Sequence, residues 1–176
     1  MKTRYGIISA MIVAAAALRL LPHPANFTPI AALALFAGAR FDDKRWAFLI
    51  PLAAMALSDL LIGFNDQMPV TYGAFAVIVA MGFLLKGKTT VLRIAWTSAG
   101  AATFFFIVSN FGVWATTGLY PLNASGLIAC YLAGIPFFQN SLVSTLFYSA
   151  VLFGGFGLME RRVSSLARVR AQDNAC

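Results

Sequence analysis

Residues Trp46–Phe64 read WAFLIPLAAMALSDLLIGF, a stretch of 19 residues with a single charged side chain, Asp59. About 20 apolar residues in a helix cross the hydrocarbon core of a bilayer, so this stretch predicts a transmembrane helix. The whole chain has the same character, with 176 residues, 60% of them hydrophobic and 11% charged, and a mean hydropathy of +0.81. These charges are too few to give a soluble domain a polar surface. The composition therefore predicts one integral membrane domain over residues 1–176.

Further apolar stretches on both sides of this one are also predicted to be membrane-spanning helices. Together the predicted spans cover residues 6–21, 28–41, 46–64, 70–85, 92–114 and 141–159. The second span is short, because its 14 residues give only about 21 Å of helix against a hydrocarbon core of roughly 30 Å. Pro22 and Pro24 break the helix before it. We expect residues 22–27 to dip into the membrane beside a cavity, where non-helical backbone is tolerated.

Another apolar piece, residues 126–138, lies between the fifth and sixth predicted spans. It is too short to cross the bilayer. A crossing there would also place the last basic cluster on the opposite side from the others. We therefore expect a non-spanning segment that lies in the outer interface or re-enters the bundle as a cap.

Basic residues occur on alternate connections between the predicted spans. Twelve of the thirteen precede the first span or follow the second, fourth and sixth, namely Lys2, Arg4, Arg40, Lys44, Arg45, Lys86, Lys88, Arg93, Arg161, Arg162, Arg168 and Arg170. Cytoplasmic loops carry an excess of lysine and arginine. The pattern predicts an all-α protein of the bacterial inner membrane, with six transmembrane helices and both termini in the cytoplasm. The net charge of +7 then reflects the orientation of the protein in the lipid bilayer and does not indicate nucleic-acid binding.

Two charged residues lie well inside the predicted spans, away from their cytoplasmic ends. Arg19 is the one basic residue away from the cytoplasmic side, and Asp59 is the one acid inside a span. Each lies about 13 residues into a helix that runs outward, which places both at a depth of roughly 20 Å. Intramembrane charges usually pair and face the protein interior. We predict an Arg19–Asp59 ion pair, which serves either as a structural clamp or as a substrate contact.

Polar and aromatic side chains also collect in the predicted outer third of the bundle. The candidate substrate-binding residues are His23, Asn26, Asp59, Asn110, Trp114, Tyr120 and Asn140. Asn110 is the strongest of them, because a buried amide inside a helix needs a partner. An aromatic belt and a surface histidine are the alternative explanations for several others. Amides and aromatic rings that converge in this way suit a neutral or heteroaromatic solute.

Motifs for catalysis and metal binding are missing from the sequence. It has no phosphate-binding glycine loop, no nucleophile paired with a base and no two-histidine or carboxylate metal pattern, so we predict no enzyme, cofactor or metal site. Cys130 is expected to be a packed apolar residue, with ligation of cobalt as the alternative. The small residues Ala10 and Ala14 allow close helix approach, either within the bundle or to another membrane subunit.

Four runs in the chain, Arg19–Ile30, Ser58–Phe64, Ser109–Trp114 and Ile135–Asn140, resemble those of a bacterial family of six-helix membrane proteins. The layout is similar to that of the substrate-binding S-components of energy-coupling-factor (ECF) vitamin transporters. This resemblance implies uptake of a vitamin-like small molecule through an outward-facing pocket. It also implies that Ala10 and Ala14 dock a transmembrane coupling subunit driven by separate ATPases. The alternative is a non-transporting membrane protein, such as an assembly factor or structural partner.

Overall fold

The computed structural model describes residues 2–162, and within that range the chain is helical without strands. Its six α-helices are α1 (Lys2–Ala17), α2 (Ile30–Arg40), α3 (Lys44–Ile62), α4 (Met68–Gly82), α5 (Val91–Thr116) and α6 (Ala124–Arg162). Single 3-10 turns, Leu18–Leu20 and Phe83–Leu85, extend α1 and α4. All of these helices except α2 are long and apolar enough to cross a membrane. The all-α class predicted from the sequence is therefore confirmed. The predicted basic residues Arg168 and Arg170 lie outside the described residues.

The short helix α2 lies at the centre of the bundle. Its residues Ile30–Ala39 are all buried, and the helix contacts α1, α3, α4, α5 and α6. A helix that is apolar on every side is typical of one enclosed by other helices. With 11 residues, α2 is about 16 Å long, shorter still than the predicted 28–41. Because protein surrounds this helix, the connection before it can be non-helical without exposing backbone polar groups to lipid.

Two glycines let α2 and α4 touch through their backbones. A Cβ atom added to Gly38 would collide with the carbonyl oxygen of Val79, and one added to Gly82 would collide with that of Leu35. Small residues at a helix interface permit this close approach inside membranes. The contact fixes the central helix against α4 and so sets where its first residues lie.

Helix α6 corrects the prediction for residues 126–138. That segment is not a separate interfacial or re-entrant piece, because it forms the first part of one 39-residue helix that continues through Pro136. The segment packs along α5, where Gly134 contacts Asn110, and Gly126 contacts the carbonyl group of Pro121 in the connection between the two helices. This antiparallel contact gives the short apolar stretch a protein partner. The whole helix is about 58 Å long, nearly twice the hydrocarbon thickness, so its two ends reach beyond a single perpendicular crossing.

The two ends of the bundle differ in charge. At one end, the carboxylate of Glu160 lies 3.5 Å from the guanidinium groups of both Arg4 and Arg40, which also lie over the ring of Phe156. We call this the basic end. The opposite end holds the loop 21–29 between α1 and α2 and the connection from α5 to α6.

Candidate functional site

A network of polar side chains crosses the apolar bundle near its opposite end. The Arg19 Nη2 atom lies 2.7 Å from Asp59 Oδ1, so the two residues expected to pair from their matching depth form an ion pair. The same guanidinium donates a hydrogen bond to the Ser58 hydroxyl. The Tyr72 hydroxyl donates to the other carboxylate oxygen of Asp59 at 2.6 Å. The Asp59 side chain is only 5% exposed, which makes these contacts necessary to keep its charge inside the bundle.

Three helices position this network. Arg19 lies in the 3-10 turn that continues α1, whereas Ser58 and Asp59 lie near the end of α3 and Tyr72 lies in the first half of α4. The Ser58 hydroxyl also donates to the carbonyl oxygen of Met55, one turn earlier in α3, at 2.8 Å. The network therefore joins α1, α3 and α4 at a single level of the bundle.

A pocket of about 210 Å³ lies directly beside this network. Its floor is formed by Ile30 and Ala31, the first residues of α2, and Phe75 and Phe105 form part of its wall. These two rings are stacked, with centroids 5.0 Å apart and an angle of 19° between their planes. The polar side chains that line it are those of Arg19, Asn26, Thr28, Thr71, Ser141 and Thr145. The pocket thus combines two aromatic side chains with hydroxyl, amide and guanidinium groups.

The proline-broken loop 21–29 covers this pocket. Asn26 lines it and has a φ of +59°, a left-handed conformation that asparagine tolerates better than most residues. The amide of Asn140 in α6 donates to the carbonyl oxygen of Ala25 at 3.0 Å. The ring of Phe27 packs on Phe147 and Tyr148 of the same helix. These contacts hold the loop against α6, in the volume that a longer α2 would have filled.

The profile of one protein family matches residues 1–167, which is almost the whole chain. The chain belongs to this family of unknown function, DUF6580. No curated protein and no solved structure matches it.

Four of the candidate site residues meet at or beside the pocket. Arg19 and Asn26 line it, Asp59 lies behind Arg19, and Asn140 holds the covering loop. His23 belongs to the same loop but is exposed, with its Nδ1 atom 2.7 Å from the carbonyl oxygen of Leu21. Its side chain does not line the pocket of this DUF6580 protein.

The other candidate residues belong to the α5–α6 hairpin and not to the pocket. The Asn110 amide donates to the Phe106 carbonyl at 2.8 Å, within its own helix. The Trp114 indole donates to the Pro121 carbonyl at 3.0 Å, and Tyr120 is half-buried in the connection between the helices. Asn110 did need a partner, as its position inside a helix predicted, but its partner is backbone.

Cys130 also belongs to this hairpin. It is buried, and its Sγ atom lies 3.4 Å from the carbonyl oxygen of Asn110. It does not line the pocket. Within residues 2–162, no group of three histidine, cysteine, aspartate or glutamate residues is placed to hold a metal ion.

Several pocket residues were missed by the sequence analysis, namely Thr28, Thr71, Phe75, Phe105, Ser141 and Thr145. A signal for four of them was present in the sequence. Thr71 and Phe75, and likewise Ser141 and Thr145, are spaced four residues apart, so each pair lies on one face of its helix. A polar residue paired in this way inside an apolar helix indicates a face directed at protein or at a cavity.

The two alanines considered for docking lie on the outside of α1. Ala10 and Ala14 are both exposed, as is Val13 between them. The buried face of the same helix carries Ile8 and Ile12. Within residues 2–162, the Ala10–Ala14 face is therefore open and not covered by another helix.

Proposed function

We propose that this DUF6580 protein binds a vitamin-like small molecule in the 210 Å³ pocket and serves its uptake, in the manner of an ECF S-component. The observation that carries the proposal is a polar pocket next to a buried Arg19–Asp59 pair in a bundle whose core is mostly apolar. Buried charges inside membrane bundles commonly mark substrate or ion pathways. Convergent polar groups beside aromatic walls are typical of small-molecule sites.

The pocket favours a compact solute with an apolar part and a hydrogen-bond acceptor. Its volume lies below the range of roughly 300–1,000 Å³ that holds drug-sized ligands, which argues against a molecule as large as cobalamin. The rings of Phe75 and Phe105 supply an aromatic part of the wall for the apolar part of such a solute. Arg19, the hydroxyl of Thr71 and the hydroxyl of Ser141 supply donors for a carbonyl or carboxylate group.

The first residues of α2 add to this preference. The N-terminus of a helix carries partial positive charge from its unpaired backbone N–H groups. Among the described residues, no side chain caps this end of α2, and its first residues, Ile30 and Ala31, face the pocket. The charge of Arg19 is balanced by Asp59, so this helix end supports an acceptor group without requiring a fully charged ligand.

The proposal includes an orientation in the bacterial inner membrane. We place the basic end of the bundle and both termini in the cytoplasm, following the distribution of lysine and arginine. The pocket then lies nearer the outer surface, with loop 21–29 between it and the outside. The exposed face with Ala10 and Ala14 suits close approach of a transmembrane coupling subunit, which would work with separate ATPases.

The proposal is tested by identifying what the purified protein binds. Small molecules released from the protein are analysed by mass spectrometry, and its thermal unfolding is measured with a panel of vitamins and their precursors. We expect at least one compound to raise the melting temperature. Thr71→Val removes one hydroxyl from the pocket at nearly constant volume and should weaken that shift.

The matched control is Thr103→Val on the exposed surface of α5, where the hydroxyl bonds to the carbonyl of Ala99. This variant should respond to the ligand like the unmodified protein. A protein that carries no ligand and responds to no compound in the panel contradicts the proposal and favours an assembly or structural role.

A further inference from the structure

A second cavity lies at the basic end of the bundle, away from the pocket. It is a groove of about 690 Å³ between the first turns of α5 and the last turns of α6. The two helices meet through Ser98 and Ser149, whose hydroxyl oxygens are 2.9 Å apart. Helices α5 and α6 enclose the groove between this contact and the basic end. Its volume lies within the range of sites that bind sizeable ligands.

The interior of the groove is apolar and shaped by small residues. Ile94 of α5 and Phe153 of α6 line it, together with Gly154 and Gly157 of α6. A Cβ atom added to either glycine would meet nothing within 4 Å, so both leave open space. An aliphatic chain would fill this space better than a polar solute.

The groove opens toward the surroundings of the bundle. Apolar residues line its exposed edge, where Val91 is 86% exposed and Leu158 is 60% exposed. Large apolar side chains with that exposure on a membrane protein face lipid and not water. The groove is therefore accessible from within the bilayer.

Charged side chains lie at the basic end of the same groove. Arg40, Glu160 and Arg161 line it, which gives an excess of one positive charge. Glu160 lies near Arg4 and Arg40, whereas within residues 2–162 no carboxylate lies at ion-pair distance from Arg161. An apolar groove that ends in a positive charge matches a molecule with an acyl chain and an anionic headgroup.

We propose that this groove binds an anionic phospholipid from the leaflet at the basic end of the bundle. Its acyl chain lies between α5 and α6 over Gly154, and its phosphate group lies next to Arg161. The groove is separate from the solute pocket, and this site does not depend on what that pocket binds.

The test is native mass spectrometry of the full chain with added phosphatidylglycerol or phosphatidylcholine that carry the same acyl chains. We expect phosphatidylglycerol to bind more tightly. Arg161→Gln should lower its affinity about fivefold, the effect of one basic residue near a lipid surface, and should leave phosphatidylcholine unchanged. Gly154→Leu should displace both lipids, because the added side chain occupies the open space of the groove.

Each variant has a neighbour as its control. Arg162→Gln removes a charge that does not line the groove, and Gly155→Leu adds the same volume at a position that does not line it either. Both should bind phosphatidylglycerol as the unmodified chain does. Equal binding of the two lipids, or equal losses in the variants and their controls, overturns the proposal. It is also overturned if Gly154→Leu changes only the oligomeric mass, since a second copy of the chain would then occupy the groove.

Discussion

The guanidinium group of Arg19 lies 2.7 Å from the carboxylate of Asp59, and this ion pair connects α1 to α3 inside an apolar bundle. Both side chains are largely buried, so each charge depends on the other for stabilisation. The hydrogen bond from Tyr72 to Asp59 extends the pair to α4. Arg19 faces the pocket at the same time. One residue therefore combines a structural contact with a position where a ligand can reach it.

Removing one partner of this pair should destabilise the protein more than removing both. Asp59→Asn leaves the Arg19 charge without its carboxylate, which typically costs about 3–5 kcal/mol for a buried pair. The double variant Arg19→Met with Asp59→Leu leaves no buried charge and should unfold at a higher temperature than Asp59→Asn. Thermal unfolding in detergent measures this. A double variant less stable than the single one would contradict this account of the Arg19–Asp59 ion pair as a structural clamp.

The depth of this pair could be predicted from the sequence, because depth depends only on where a helix begins and on its rise per residue. The rotation of each helix about its own axis could not be predicted. In soluble helices a polar face indicates which side is exposed, but lipid-facing and protein-facing surfaces are both apolar here. Thr71 and Ser141 were therefore missed, and Asn110 was assigned to a pocket that it does not line.

Tertiary contacts also explain the wrong prediction for residues 126–138. Their length and the position of the last basic cluster indicated a separate segment that does not span, because both features were judged without a partner helix. The continuous helix depends on α5, since Gly134 fits against Asn110 only when the two helices are paired. The short second helix could be predicted, because its length follows directly from the sequence. A span too short for the bilayer requires an irregular connection beside it.

A methyl group at the α2–α4 contact should destabilise the bundle. Gly82→Ala places a Cβ atom against the backbone carbonyl of Leu35, and backbone atoms cannot move aside as a side chain can. Overpacking of this kind costs about 1–3 kcal/mol. Gly73→Ala is the control in the same helix, because its Cβ meets nothing within 4 Å. Alanine forms helix better than glycine, so Gly73→Ala should not lower the melting temperature, and an equal fall for both variants would contradict this role of the Gly82 contact.

A disulfide should form between α5 and α6 where Ser98 meets Ser149. Their hydroxyl oxygens are 2.9 Å apart, so cysteines at both positions would bring their sulfur atoms within bonding reach. The variant Ser98→Cys with Ser149→Cys, made without the native cysteines, should cross-link on mild oxidation. The readout is a mobility shift that reducing agent reverses. Ser98→Cys with Val151→Cys is the control, because Val151 is exposed, lies two residues further along α6 and does not line the groove that Ser98 lines.

Chemical labelling should place the two ends of the bundle on opposite sides of the membrane. Asn123 lies in the connection from α5 to α6, and Lys88 lies between the turn after α4 and the start of α5. Both are exposed. In a background without the native cysteines, a membrane-impermeant maleimide added to spheroplasts should label Asn123→Cys directly and Lys88→Cys only after permeabilisation, because basic loops stay in the cytoplasm. Labelling of Lys88→Cys in intact spheroplasts would show the reverse orientation, with the pocket on the cytoplasmic side. That result would contradict an uptake role.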